Sequence, residues 1–320
     1  MARSSSFRFF LAVSCLLGAP IAACSPGGHA GHAAVPAEDS ASAAADTSAR
    51  GPALGLELAG TPAVGAPVSF ALQLTDLTGA PIGPDALAVT HEHKVHVMIV
   101  DEALEDYTHT HPQAGPDGRF HVTFTPKFAR PYRVWADYRL AGGEAIAATA
   151  HAEDHGDHGA PGGGSGAGGH DHGGGSGAGG VAIRVSQALP IGADALPLLA
   201  SADALTVNAD GMTYVMSADG PIKAGENVRL RINVTGPDGA PFAALEPIMG
   251  AFAHLVGFNP GATKMAHAHP NGAAPENAAS RGGPALDFDL RFEQTGPHRL
   301  FLQTVADGRE RGIAFTVNVQ

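Results

Sequence analysis

Apolar residues recur along this chain in short alternating or unbroken bursts, and no long stripe of period 3.6 appears. Leu54-Gly-Leu-Glu-Leu, Val68-Ser-Phe-Ala-Leu-Gln-Leu, Val95 to Val100, Phe120-His-Val-Thr-Phe, Tyr132-Arg-Val-Trp-Ala-Asp-Tyr and Ala145-Ile-Ala-Ala-Thr-Ala are such bursts. Glycine, proline and aspartate punctuate them at Gly60-Thr-Pro, Gly79-Ala-Pro, Gly115-Pro-Asp-Gly and Gly142-Gly143. Side chains two apart on a strand share a face, so the pattern predicts half-buried strands joined by tight turns. Several such strands within about a hundred residues predict an antiparallel β-sandwich. Trp135, the only tryptophan, is expected to pack between its sheets.

From Met212 the layout returns. Pro221-Ile-Lys-Ala-Gly-Glu-Asn-Val-Arg-Leu parallels Pro62-Ala-Val-Gly-Ala-Pro-Val-Ser-Phe, and Leu286-Asp-Phe-Asp-Leu-Arg-Phe parallels Phe120-His-Val-Thr-Phe. Pro297-His-Arg-Leu-Phe-Leu-Gln then matches Pro131-Tyr-Arg-Val-Trp-Ala-Asp. The expected fold class is all-β, two tandem antiparallel Ig-like β-sandwich domains, arising by internal duplication. Val181 to Ser186 reads as a strand and Gln187 to Ala204 as irregular, so the second domain is placed at 181–320 and the first at 52–152.

One element recurs with its histidines in register. His96 is followed by His109-Thr-His111-Pro112, and His254 by His267-Ala-His269-Pro270, with nearly all intervening residues different. Each copy has an apolar run, a turn-like middle and a second extended run, which is a hairpin signature. A turn centred between Glu102 and Ala103 puts His96 opposite His109. The second copy centres between Pro260 and Gly261. Opposed residues hold their Cβ atoms roughly 4.5–5.5 Å apart, and His-x-His adds a second ring on the same face. Proline after each pair holds the preceding histidine extended. His96, His109 and His111, and separately His254, His267 and His269, are therefore candidate metal ligands, three per domain. A slip of one residue would turn the later pair to the other face, so register decides the site.

Further candidates surround these six. His91 and His93 form another same-face pair, although a regular strand puts His93 and His96 on opposite faces. Domain two has Met249 and Gly250 there instead. Met98, Met249 and Met265 would suit Cu(I). His121 and His298 have no counterpart in the other repeat and read as structural or surface residues, while Glu92 and Asp101 read as solvated acids. Residues 153–180 form a Gly/His-rich linker, expected to be disordered, whose His155, His158, His170 and His172 are weak auxiliary ligands.

The N-terminus reads as a targeting segment. Arg3 and Arg8 precede the apolar stretch Phe9 to Leu17, and Ile21-Ala-Ala-Cys24 resembles the lipobox of bacterial lipoproteins. Residues 1–23 are then a signal peptide, Cys24 is lipidated, and 24–51 is a disordered tether. Ser25 after the cysteine favours the outer membrane, facing the periplasm or the cell surface. Cys15 and Cys24 are the only cysteines, so no thiolate remains to bind metal or act as a nucleophile. Cleavage removes two arginines and no acid, taking the formal charge from −12 to −14. That balance excludes nucleic acid as a partner and suits cations.

The motifs Ala253-His-Leu-Val, His267-Ala-His-Pro, Gly283-Pro-Ala-Leu-Asp-Phe and Gly296-Pro-His-Arg-Leu-Phe-Leu-Gln resemble the YtkA-like family of secreted or lipid-anchored bacterial proteins, with Ala253 where that family carries glycine. The resemblance implies an envelope protein linked to heavy-metal handling, copper above all. Thiolate-free imidazole sites suit copper, zinc or nickel, and the Irving–Williams order favours Cu(II). No phosphate loop, dinucleotide fingerprint, nucleophile elbow or His-Glu-x-x-His occurs, so no enzymatic activity is expected. The rival expectation is a metal-free adhesion or assembly module that binds another envelope protein.

Overall fold

A computed structural model describes residues 52–141 and 182–320. The expected signal peptide and tether, Cys24, the strand expected at 145–150 and the linker histidines lie outside the described residues. Eight strands come from the first half. They are β1 (Ala53–Leu58), β2 (Val68–Thr75), β3 (Pro81–Ile82), β4 (Val95–Asp101), β5 (Tyr107–Thr110), β6 (Phe120–Phe124), β7 (Pro131–Arg139) and β8 (Ala182–Pro190). Eight more follow: β9 (Thr206–Ala209), β10 (Met212–Ala218), β11 (Asn227–Thr235), β12 (His254–Phe258), β13 (Met265–Ala268), β14 (Ala285–Arg291), β15 (Gly296–Ala306) and β16 (Arg309–Val319). Among the described residues there is no α-helix, and no helix long and apolar enough to cross a membrane.

The strands form four antiparallel sheets that pack as two sandwiches. In the first, β1-β2-β3 with β6 beside β2 faces β5-β4-β7-β8. Phe70, Leu72, Phe120 and Val122 from one sheet meet Val95, Val97, Val134 and Tyr138 from the other. In the second, β14-β11-β10-β9 faces β13-β12-β15-β16, closing over Tyr214, Leu230, Phe288, Leu300 and Phe315. The all-β tandem sandwich read from the alternation is the fold observed.

The boundary between the sandwiches differs from expectation. Strand β8, assigned from sequence to the second domain, pairs along its whole length with β7, from Arg139↔Ala182 to Pro131↔Pro190. Its Val185 and Leu189 enter the first core. Without β8 the backbone groups of β7 on that side would lack ladder partners. The irregular stretch begins after Pro190 rather than at Gln187, and the second sandwich starts at β9.

Strand β4 is buried at every position, as is β12. An antiparallel sheet with one wet face shows alternation, whereas a strand covered on both faces reads as a continuous apolar run. The second cover is the other sandwich. Met98, Val100, Leu104 and Trp135 of the first half pack against Val256, Phe258, Ala262, Met265 and Phe301 of the second. Tyr107 stacks on Phe301 at 4.5 Å between ring centroids. Trp135 therefore lies between the two sandwiches rather than within one, and its Nε1–H donates to the Ala262 carbonyl at 3.0 Å. Fully burying a side chain such as valine or phenylalanine contributes about 1.5–3 kcal/mol, so this layer holds the halves together. All described residues fall in one compact unit.

Candidate metal centre

The histidine hairpins lie on the facing sheets, next to this apolar layer. Val97 pairs with Thr110 and Met98 with His109; Leu255 pairs with Ala268 and Val256 with His267. Continuing each register sets His96 against His111 and His254 against His269. The expected pairing of His96 with His109 is thus displaced by two residues, which keeps all three rings on one face, as a slip of one would not. Loop chemistry causes the displacement. The Asp101 carboxylate accepts the backbone N–H groups of Glu105 and Asp106, each at 2.7 Å, so β4 and β5 are joined by a longer loop than a two-residue turn. Asn259 accepts from Lys264 N–H at 2.7 Å in the second copy. Asp101, read from sequence as solvated, is fully buried and also paired with Arg130.

The second triplet, His254, His267 and His269, gathers its ligand atoms within 4.8 Å as expected, whereas in the first His267 takes the place of His111 beside His96 and His109. Both triplets project from the facing sheets into one cluster between the sandwiches. Hydrogen bonds fix the tautomers at its middle, because a carbonyl or carboxylate can only accept. His96 donates Nε2–H to the Thr90 carbonyl at 3.2 Å, and His254 donates Nε2–H to the Ile248 carbonyl at 3.1 Å. Their lone pairs are therefore on Nδ1. His109 donates Nδ1–H to the Gln303 side-chain carbonyl at 3.2 Å, and His267 donates Nδ1–H to the Asp137 carboxylate at 3.1 Å. Their lone pairs are on Nε2. The arrangement is reciprocal: β15 of the second half orients a first-half histidine, and β7 of the first half orients a second-half one. Arg184 of β8 in turn holds Asp137 at 3.1 Å.

Four of the rings lie near one another. All six separations among His96, His109, His254 and His267 lie between 5.0 and 6.5 Å. Four imidazoles bound tetrahedrally at roughly 2.0–2.1 Å would have centroids roughly 5 Å apart. Ligand atoms of His96, His109 and His267 lie within 4.8 Å of one another, as do those of His254, His267 and His269, so His267 is common to both sets. His111 belongs to neither set and instead donates Nε2–H to Nδ1 of His96 at 2.7 Å.

Burial keeps this cluster neutral. It pushes His109, His267 and His269 well below the ordinary histidine range, each further depressed by neighbouring histidines. His254 is pushed down to about 3, by burial first. His111 and His96 are also lowered by burial, Asp137 opposing the shift at His96. Neutral imidazole is the metal-binding form. Five of these nitrogens are buried without a hydrogen-bond partner: Nε2 of His109, Nδ1 of His111, Nδ1 of His254, Nε2 of His267 and Nε2 of His269. Buried polar atoms are almost always satisfied, so five orphans in one cluster require an explanation. A cation with borderline preference for nitrogen is a donor set's natural complement here.

The remaining candidates fall into place around this centre. His91 and His93 precede β4 on a turn, free of strand alternation, and both join the cluster: His93 stacks on His111 at 4.0 Å and His91 lies against His269 at 3.7 Å. Met98 and Met265 are buried in the apolar layer between the sandwiches. His121 is exposed beside Asp117, and His298 is buried, bonded to the Gly296 carbonyl. Sequence reading missed Asp137 and Gln303. Their equivalence was visible, since both occupy the last place of the matched Pro131 and Pro297 segments, but their histidine partners are in the opposite repeat.

Comparison with curated proteins finds no match. Among solved structures, a "Putative Lipoprotein from Bacillus anthracis" aligns at 9% identity over 38% of this chain and 88% of its own, with a TM-score of 0.23. Invasin, a bacterial integrin-binding protein, aligns at 12% identity over 83% of this chain and 39% of its own, with a TM-score of 0.21. The D00-D0 domain of intimin aligns at 10% identity over 83% of this chain and 99% of its own, also with a TM-score of 0.21. A family described as "Domain of unknown function (DUF8832)", rather than the YtkA-like family that the motifs resemble, matches residues 49–154 and again 206–320. These two matches enclose both histidine hairpins, one in each copy, and the chain belongs to that family.

Proposed function

We propose that this chain binds a transition-metal cation, copper before zinc or nickel, at the four-histidine centre between its sandwiches. It holds that ion at the bacterial cell envelope, tethered through a lipid on Cys24 at the outer membrane. The observation that carries the reading is the set of five buried, partnerless imidazole nitrogens, three of them on the proposed ligands His109, His254 and His267. Two ligands come from each half: His96 and His109 from the first, His254 and His267 from the second. This departs from one three-histidine site per domain because His267 is common to both close sets. Asp137 and Gln303 act behind the ligands, fixing ring orientation, and a carboxylate behind a histidine strengthens it as a donor. Four nitrogen ligands close the coordination shell of a tetrahedral ion, which favours storage or buffering over catalysis.

Thermal melting tests the reading. An ion that binds the folded state alone stabilises it by about 2.7 kcal/mol at a free concentration one hundred times Kd, which raises Tm by several degrees. Copper or zinc is expected to produce that shift and a chelator to reverse it. An unchanged Tm across saturating concentrations of both metals contradicts it.

A further inference from the structure

The eight clustered histidines are graded from solvent to core. His91 alone is exposed, and His93, His111 and His269 are partly covered. His96, His109 and His254 are buried, and the His267 side chain is 4% exposed. The grading follows two paths of adjacent rings. One runs from His91 to His269 at 3.7 Å and on to His254 at 4.6 Å or His267 at 4.7 Å. The other runs from His93 to His111 at 4.0 Å and on to His96 at 4.3 Å or His109 at 4.8 Å. Each path ends on both central ligands of one half.

The outer pair is placed by a turn that closes this side of the cluster. Thr90 bridges to His93, with His91 and Glu92 at φ of 48° and 70°. The equivalent turn of the second sandwich bridges Ile248 to Ala251, with Met249 and Gly250 at φ of 50° and 76°. The two turns touch: a Cβ on Gly250 would lie 3.3 Å from the His91 carbonyl oxygen. Backbone therefore covers the centre here. The carbonyls of Thr90 and Ile248, from the same two turns, also hold His96 and His254. Only the first-half turn carries histidines, which packing by symmetry does not require, since its counterpart closes with Met249-Gly250-Ala251.

We infer that His91 and His93 are the loading step of the metal centre, passing a divalent cation by ligand exchange through His269 and His111 to the buried ligands. This rests on the metal-binding reading of the same site. Imidazoles in near contact let the ion gain one nitrogen before it gives up another, so it never crosses the protein without ligands. His111 has a second part in the step. Its Nε2–H occupies the His96 lone pair before loading, and the arriving ion takes that position while His111 turns its free Nδ1 to the path. Apart from that hydrogen bond, only metal–nitrogen bonds form or break, and no proton need leave a ligand.

The test is stopped-flow uptake of copper(II) chloride by the full chain and by the double variant His91→Asn, His93→Gln. Asparagine tolerates the left-handed backbone at position 91, and Tm of the metal-free variant verifies its fold. The expected result is loading and chelator-driven release both slowed by about tenfold, within the range over which association rates vary among variants of one site. Final stoichiometry, affinity and copper spectrum stay unchanged. Equal rates in the two proteins overturn the relay and leave the metal centre standing. Loss of the bound ion from the variant also overturns it, because the two would then be ligands. No uptake by the unaltered chain refutes the metal reading itself.

Discussion

Changing His267 to alanine is expected to abolish tight ion binding by the whole chain, lowering affinity by more than the 10–100-fold typical of residues behind a ligand. His267 is the residue common to both candidate ligand sets. Its Nδ1 is fixed by Asp137 of the opposite half, and its Nε2 is buried and unpartnered. Ligands confined to their own domain would leave the first-half histidines binding normally after this change. With a centre between the halves, the loss extends to them. Calorimetric titration of the variant with copper reads the outcome, and Trp135 emission monitors whether the sandwiches remain joined. Retention of full-affinity binding in a folded variant would remove His267 from the ligand set.

Mild acid is expected to part the two sandwiches of the metal-free protein. Histidine titrates near 6.5 in an unfolded chain, and burial lowers His109, His254 and His267 in the folded one. Above pH 6.5 the three are neutral in both states and the shift costs nothing. As pH falls below 6.5, the unfolded or separated state takes up protons that the closed cluster refuses, so stability falls with pH. The slope is about 1.4 kcal/mol per group per pH unit until each group's lowered value is reached. The loss is drawn from a total that is typically only 5–15 kcal/mol. The charge is relieved by opening the interface, since each sandwich keeps its own core. Trp135, the only tryptophan, sits at that interface with its indole N–H on the Ala262 carbonyl. Its emission is expected to move to longer wavelength between pH 6.5 and 5.5. Emission constant across this window contradicts the buried-cluster account. Bound metal moves the transition lower, because protons must then displace the ion.

Much of the fold was legible because strand alternation and turn residues are local signals. The repeat was legible because Pro131-Tyr-Arg-Val-Trp-Ala-Asp and Pro297-His-Arg-Leu-Phe-Leu-Gln preserve the same facing pattern. The hairpin register was displaced by two because Asp101 and Asn259, which look like solvated turn residues, turn inward and cap the loop backbone. The meeting of the hairpins was not legible, since contacts between residues such as His109 and Gln303 depend on how one sandwich docks on the other. A clue was present all the same. The run Val95 to Val100, apolar everywhere but His96, has one side too many for a sheet with a wet face, and so implies a second cover. His93 was set apart by strand geometry that does not reach it, because it stands on a left-handed turn before β4 begins. The first-sandwich role of β8 was concealed by chain order, which places it beyond the His-rich segment.

The central claim, one ion held jointly by the two halves, is tested most directly by counting metal on the full chain while reading its ligands. Elemental analysis of copper-loaded protein, with X-ray absorption on the same sample, gives both. The account predicts one tightly held ion per chain surrounded by imidazole nitrogens, and its loss when the ligands of either half are changed. Two tight ions per chain, each lost only with the histidines of its own half, would contradict a shared centre. No tight ion at all would contradict metal binding.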